Sequence, residues 1–241
     1  MGGVVTGRTR RPAGARQRLQ AVVERLAREY PSAECALTHG NAFELLVATI
    51  LSAQCTDERV NSVTPALFAR YPDPAALAGA EPRELEELIR STGFFRMKGQ
   101  ALREMSQDLL GRHGGAVPPR MEDLVQLRGV GRKTANVVLG VALGVPGLPV
   151  DTHVTRLVAR LRLSAHADPV QIERDLCAML DDTEWTNLSL RLIEHGRRVC
   201  VARRPRCDLC ALSDVCPSAA APLRPVRRGS GRAETGVAAR R

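Results

Sequence analysis

The run FELLVATILSA, residues 43–53, constrains the fold more than any other stretch of this chain. It carries one charge, Glu44, and shows no apolar–polar alternation. It is far shorter than the roughly 20 apolar residues of a membrane span. The reading is a helix buried on all sides, which requires a shell of other helices around it. The rest of the chain supplies that shell. Leu19, Val22, Val23 and Leu26 form one stripe at helical spacing, Leu85, Leu88 and Ile89 a second, and Leu176, Met179 and Leu180 a third. Asp57, Asp73 and Asp168 read as N-caps, the last two followed by Pro at the first helical position. Gly93, Gly114-Gly115 and Gly144 read as helix stops. The sequence predicts about ten helices with short connections, no strand and no internal repeat, hence an all-α protein. Aromatic residues make up only 3%, so Leu, Val and Ala must fill the core.

A net charge of +9 invites a nucleic-acid reading, but its distribution weakens that argument. Residues 1–15 contribute +3 and residues 218–241 contribute +5, leaving about +1 for residues 16–217. The two tails, rich in Gly, Ala, Pro and Arg, read as disordered and able to add salt-sensitive attraction to a polyanion. Any grip on DNA by the nearly neutral remainder has to come from local geometry. The N-terminus lacks the apolar stretch of a secretory signal. Met1-Gly2 fits only the permissive myristoylation pattern, and Gly and Pro break the amphipathic helix that a transit peptide needs.

That geometry is legible in LRGVGRKTANVVLG, residues 127–140. A helix over residues 121–126 is expected to stop at Gly129-Val130-Gly131, with a second helix starting at about Arg132. Two glycines one residue apart allow positive φ and close approach of a ligand to the backbone. The amides that follow sit at a helix N-terminus, where partial positive charge favours phosphate. Gly129, Val130, Gly131, Arg132 and Thr134 are the candidate contacts; an ordinary αα-turn with a glycine cap is the alternative. The chain uses 33 arginines and two lysines, Lys98 and Lys133, yet places one lysine in this turn. A lysine ε-amine becomes a nucleophile when neutral, whereas a guanidinium stays protonated. A helix N-terminus within a closed DNA complex is expected to depress that amine's pKa; a phosphate-contacting or solvated lysine is the competing reading. Eighteen residues on, GLPVDTHVTRL places Asp151 at the start of another helix. It reads either as an N-cap or as a carboxylate facing Lys133 across a groove, while His153 reads as structural.

Seven cysteines, an odd number without a secretory signal, argue against a disulfide framework. Cys35, Cys55 and Cys177 read as small apolar side chains. Cys200, Cys207, Cys210 and Cys216 form C-x6-C-x2-C-x5-C beside Pro205 and Pro217, a metal-site signature that by spacing alone suits zinc or [4Fe–4S] equally. Arg203, Arg204 and Arg206 make the intervening loop the most basic part of the folded region.

The hairpin, the VDTHV segment and the cysteine loop together resemble the endonuclease III family of the helix-hairpin-helix DNA glycosylase superfamily, over residues 16 to 217. FELLVATILSAQCTD is similar to the family's buried helix that ends in Gln. The resemblance implies a six-helix barrel domain at 36–146, with its hairpin at about 121–140. It also implies a cluster domain formed by 16–35 and 147–217, and an active site in the cleft between the two. It implies duplex DNA with a damaged pyrimidine or abasic site as partner, action as a monomer, and a bacterial, cytoplasmic, nucleoid-associated setting. Lys133 would form a Schiff base with the sugar, Asp151 would assist, and β-elimination would nick the strand. Gln54 would fill the gap left by the flipped base, Phe94 would wedge between bases, and Lys98 would lie on the adjoining phosphate-facing loop. The four cysteines would ligate a structural [4Fe–4S] cluster. Arg128, Cys55 and Phe94 depart from the family pattern. The adenine-mismatch branch is disfavoured by the presence of Lys133 and by a tail too short for a further domain. A DNA-binding module without catalysis, and a zinc scaffold without DNA function, leave other features unexplained.

Overall fold

The structure, a computed structural model, describes residues 11–219. The expected disordered tails fall outside these residues except at their inner edges, where Ala15 already begins a helix and is buried. Eleven α-helices and three short 3-10 turns, with no strand, make up the described residues. None of these helices is long and apolar enough to cross a membrane.

Helix α2 (Ala42–Leu51) is the hydrophobic run. Asn41 caps it by accepting from the Glu44 N–H at 2.9 Å, and Glu44 reaches back to the Gly40 N–H at 2.6 Å. Phe43 and residues 45–51 are buried, and each large aliphatic side chain removed from water contributes about 1.5–3 kcal/mol. The helix ends before Ser52 and Ala53, two residues sooner than expected, because the chain turns there into Gln54 at φ 55°.

Around α2 pack α3 (Asp57–Arg70), α4 (Pro74–Ala78), α5 (Pro82–Ile89), α6 (Phe95–His113), α7 (Met121–Leu124) and α8 (Arg132–Ala142). Asp73 caps α4 as expected, whereas α3 is capped by Thr56 rather than Asp57. Two cap-competent residues lie side by side there. Thr56 accepts from the Arg59 N–H, while the Asp57 carboxylate is held by Arg197 at 2.6 Å. Leu46, Leu51, Leu67, Leu85, Leu102 and Leu139 mark this first core.

A second core gathers α1 (Ala15–Glu29) with α9 (Thr152–Arg160), α10 (Pro169–Cys177) and α11 (Trp185–Arg198). Leu19, Leu26, Leu157, Leu176, Leu188 and Leu192 are central to it. The chain therefore starts in the second core, builds the first, and returns at Leu148. The seam between the cores is tight. A Cβ on Gly147 would lie 2.5 Å from the Asn136 carbonyl oxygen, and one on Gly140 would overlap Thr186. Thr186 itself donates to the Gly147 carbonyl at 2.9 Å, tying α11 to the returning segment.

Candidate active site and nucleic-acid interface

Along this seam opens a cavity of about 110 Å³ whose walls include Cys35, Thr49, Asp57, Lys133, Asp151 and Arg197. Lys133 comes from the first turn of α8 and Asp151 from the start of α9, so each core contributes one of the two. The Lys133 side chain is exposed and has no hydrogen bond or ion pair among the described residues. Asp151 is both N-cap and cavity wall. One carboxylate oxygen accepts from the Val154 N–H at 2.8 Å, which fixes the group, and the other has no partner among the described residues. The Asp57–Arg197 ion pair crosses from α3 to α11 at the same cavity. Burial pushes the Cys35 thiol up, and the nearby Arg197 and Lys133 charges only partly oppose this. No motif in the sequence marked Asp57, Arg197 or Cys35 as cavity residues, because helices far apart in the chain bring them together.

The hairpin has the form expected of an anion grip, with two differences of detail. Gly129 sits at φ 78°, and Gly131 caps α8 without any side-chain hydrogen bond. The amides of Arg132, Lys133 and Thr134 are therefore left without a partner among the described residues, at the positive end of the helix. Val130, expected among the contacts, is instead buried in the first core and donates its N–H to the Leu127 carbonyl at 3.1 Å. The guanidinium of Arg132, another of the candidate contacts, is held bidentately by Glu173 on α10 at 2.8 and 2.7 Å. Glu173 is only 8% exposed, so this pair joins the two cores and commits two of the three guanidinium nitrogens to it. Arg128 pairs with Glu104 at 3.2 Å.

Two exposed turns flank the first core. Gln54 and Phe94 both adopt left-handed backbone, at φ 55° and 47°, and Phe94 is 61% exposed. Non-glycine residues adopt this conformation at an energetic cost, and they cluster at functional sites. Lys98 is not on a phosphate-facing surface. It is 6% exposed, and its ammonium donates to the Leu51 and Thr92 carbonyls, each at 2.8 Å. On the second core, Arg203, Arg204 and Arg206 are exposed and have no carboxylate partner among the described residues. His153 accepts from Arg156 at 3.2 Å.

The four cysteines of the C-terminal loop are half-buried and unpaired as disulfides. Burial pushes the Cys210 and Cys216 thiols up, and the neighbouring thiols of the set add to it. Arg160 donates to Cys200 Sγ at 3.2 Å, and the Leu212 N–H donates to Cys210 Sγ at 3.4 Å. Four soft sulfur donors with hydrogen bonds already aimed at them fit a cationic group that would hold them as thiolates. Among the described residues no three Cys, His, Asp or Glu side chains are arranged to hold a single metal ion.

A profile of the HhH-GPD superfamily of base excision DNA repair proteins matches residues 47–180. Endonuclease III of Synechocystis sp. is 52% identical over 213 residues, covering 88% of this chain and 97% of that protein. Endonuclease III of Bacillus subtilis is 41% identical over 83% of this chain and 92% of its own length. The fold matches that of endonuclease III in a non-covalent DNA complex, with a TM-score of 0.81 and 40% identity over 85% of this chain and 96% of that one. The profile's residues include the hairpin, Lys133 and Asp151, and the chain belongs to the endonuclease III family of HhH-GPD base excision DNA repair proteins.

Proposed function

We propose that this chain is a bifunctional DNA glycosylase and abasic-site lyase that removes oxidised pyrimidines from duplex DNA. The observation that carries this reading is the shared cavity, lined by an unpartnered lysine from one core and a fixed carboxylate from the other. A base cannot be reached inside the stack, so the target nucleotide is turned out into the seam. The amides of Arg132 to Thr134 hold the strand by its phosphates and read no sequence.

The neutral Lys133 amine attacks C1′ of the lesion nucleotide. The C1′–N bond breaks with its electron pair going to the base, which takes up a proton and leaves. Asp151 stabilises the positive charge developing at C1′ and accepts the proton released by the attacking amine. Breaking C1′–O4′, with a proton passing to O4′, leaves a protonated Schiff base between Nζ and C1′. Loss of a C2′ proton then expels the 3′ phosphate, and water regenerates the amine. The exposed Lys133 becomes desolvated only when the duplex covers it. Gln54 fills the gap left by the base, Phe94 separates neighbouring bases, and Arg203, Arg204 and Arg206 add phosphate contacts.

The two hydrophobic cores correspond, in this reading, to a barrel domain over 36–146 and a cluster domain formed by 16–35 and 147–217. Cys200, Cys207, Cys210 and Cys216 would hold a [4Fe–4S] cluster. When bound, the cluster supplies a cross-link that keeps the basic loop in place and takes no part in bond cleavage. The purified protein should contain iron and acid-labile sulfide in equal amounts and little zinc; zinc alone would overturn the assignment. The setting that fits this reading is bacterial cytoplasm and nucleoid, with the chain acting as a monomer.

The decisive experiment is borohydride trapping on a duplex carrying one oxidised pyrimidine, with mapping of the cross-linked peptide. The adduct should map to Lys133, and Lys133→Arg should keep duplex binding while losing the adduct. Base release without any adduct would replace the Schiff-base route with direct hydrolysis.

A further inference from the structure

Lys98 is a buried cation with no carboxylate beside it among the described residues. Its two partners are backbone carbonyls, Leu51 and Thr92, and burial lowers its pKa below the ordinary lysine range. Burying a charge without a counter-ion is unfavourable, and an apolar side chain of similar length would avoid that penalty. What the ammonium provides is a geometric tie. Leu51 is the last residue of α2, three positions before Gln54, and Thr92 lies two positions before Phe94. Between Thr92 and Phe94 stands Gly93 at φ 71°, so this turn leaves the tie directly into left-handed backbone, while the other reaches it at Gln54 after Ser52 and Ala53. Such conformations persist only where the surroundings over-determine them. A compact ammonium with three donors reaches two converging carbonyls in a space that is 6% exposed, a task to which the wider guanidinium fork is less suited.

We propose that Lys98 is a positioning residue that clamps the Gln54 turn to the Phe94 turn and so sets their separation as one two-pronged tool for opening the duplex. The proposal rests on the roles of Gln54 and Phe94 under the proposed function and adds the element that couples them. Lys98 touches neither DNA nor the reacting atoms.

The test compares Lys98→Met, Gln54→Ala, Phe94→Ala and the double variant Lys98→Met/Gln54→Ala. The substrates are a duplex with one oxidised pyrimidine opposite 2-aminopurine, and a single-stranded oligonucleotide carrying an abasic site. Lys98→Met should reduce duplex excision by roughly 10–100-fold, the scale expected of small misplacements. It should also abolish the 2-aminopurine unstacking signal while leaving single-strand borohydride trapping nearly unchanged. The double variant should lose little more than either single variant, because the two residues act as a unit. Unchanged duplex excision, or an equal loss on both substrates, overturns the clamp. If Gln54→Ala and Phe94→Ala are both silent, the reading of the turns fails instead. Should Lys98→Met not fold, Lys98→Arg keeps the charge while altering the spacing. It should lose duplex excision selectively, and full duplex activity together with a full unstacking signal in that variant would equally overturn the proposal.

Discussion

Asp151 shows how one side chain can carry two readings that the sequence could not separate. Its cap bond to Val154 uses one oxygen, and the cavity sees the other. Asn is as good an N-cap as Asp, so Asp151→Asn removes the charge and keeps the helix start. Base release should slow by about 10²–10⁴-fold, with the melting temperature nearly unchanged. A large loss of stability together with normal turnover would return Asp151 to a structural role. Lys133 and Asp151 could be singled out from type and spacing because their chemistry is unusual where they stand, and both line the same cavity. Lys98, Val130 and Arg132 were not, since whether a residue in a turn faces solvent or the core depends on distant neighbours. Glu173, Leu51 and Thr92 hold Arg132 and Lys98, the first core encloses Val130, and nothing local announces any of this.

Helices were the most legible level, because caps and stops are written in adjacent residues. Asp73-Pro74 and Asp168-Pro169 start α4 and α10 as expected, and Gly114 at φ 60° ends α6. The misplaced cap of α3 and the early end of α2 are errors of one or two residues, the usual fraying of element boundaries. What the sequence hid was how closely elements approach. Gly147 faces the Asn136 carbonyl of α8, a backbone atom that cannot swing aside. Gly147→Ala should therefore destabilise the protein by about 1–3 kcal/mol. It should also displace the segment leading to Asp151, so that excision falls beyond what partial unfolding explains. Thermal melts read alongside single-turnover rates check this, and a variant with wild-type stability and rate would show that the seam yields.

At the scale of the molecule, charge is distributed in a way the total of +9 conceals. Many surface arginines are paired: Arg70 with Glu84, Arg128 with Glu104, Arg132 with Glu173 and Arg197 with Asp57. The basic cysteine loop has no such carboxylate partners among the described residues, so Arg203, Arg204 and Arg206 are expected to release counterions when DNA binds. Replacing all three with Ala should lower the slope of log affinity against log salt by about 0.9 for each phosphate that the loop no longer neutralises, uniformly across DNA sequences. An unchanged slope would place that loop away from the duplex.

The order in which the chain visits its two cores also has a consequence for its birth. Residues 37–139, which hold the first core, are contiguous and can close on themselves as soon as they have left the ribosome. Helix α1 emerges earlier, yet its apolar face of Leu19, Val22 and Leu26 has no partner until the segment beginning at Leu148 appears. At about 5–20 residues per second, that nascent helix waits on the order of ten seconds with its stripe uncovered. Among the described helices α1 is thus the first to be made and among the last to be buried, and it spends that interval with an apolar face open to a chaperone.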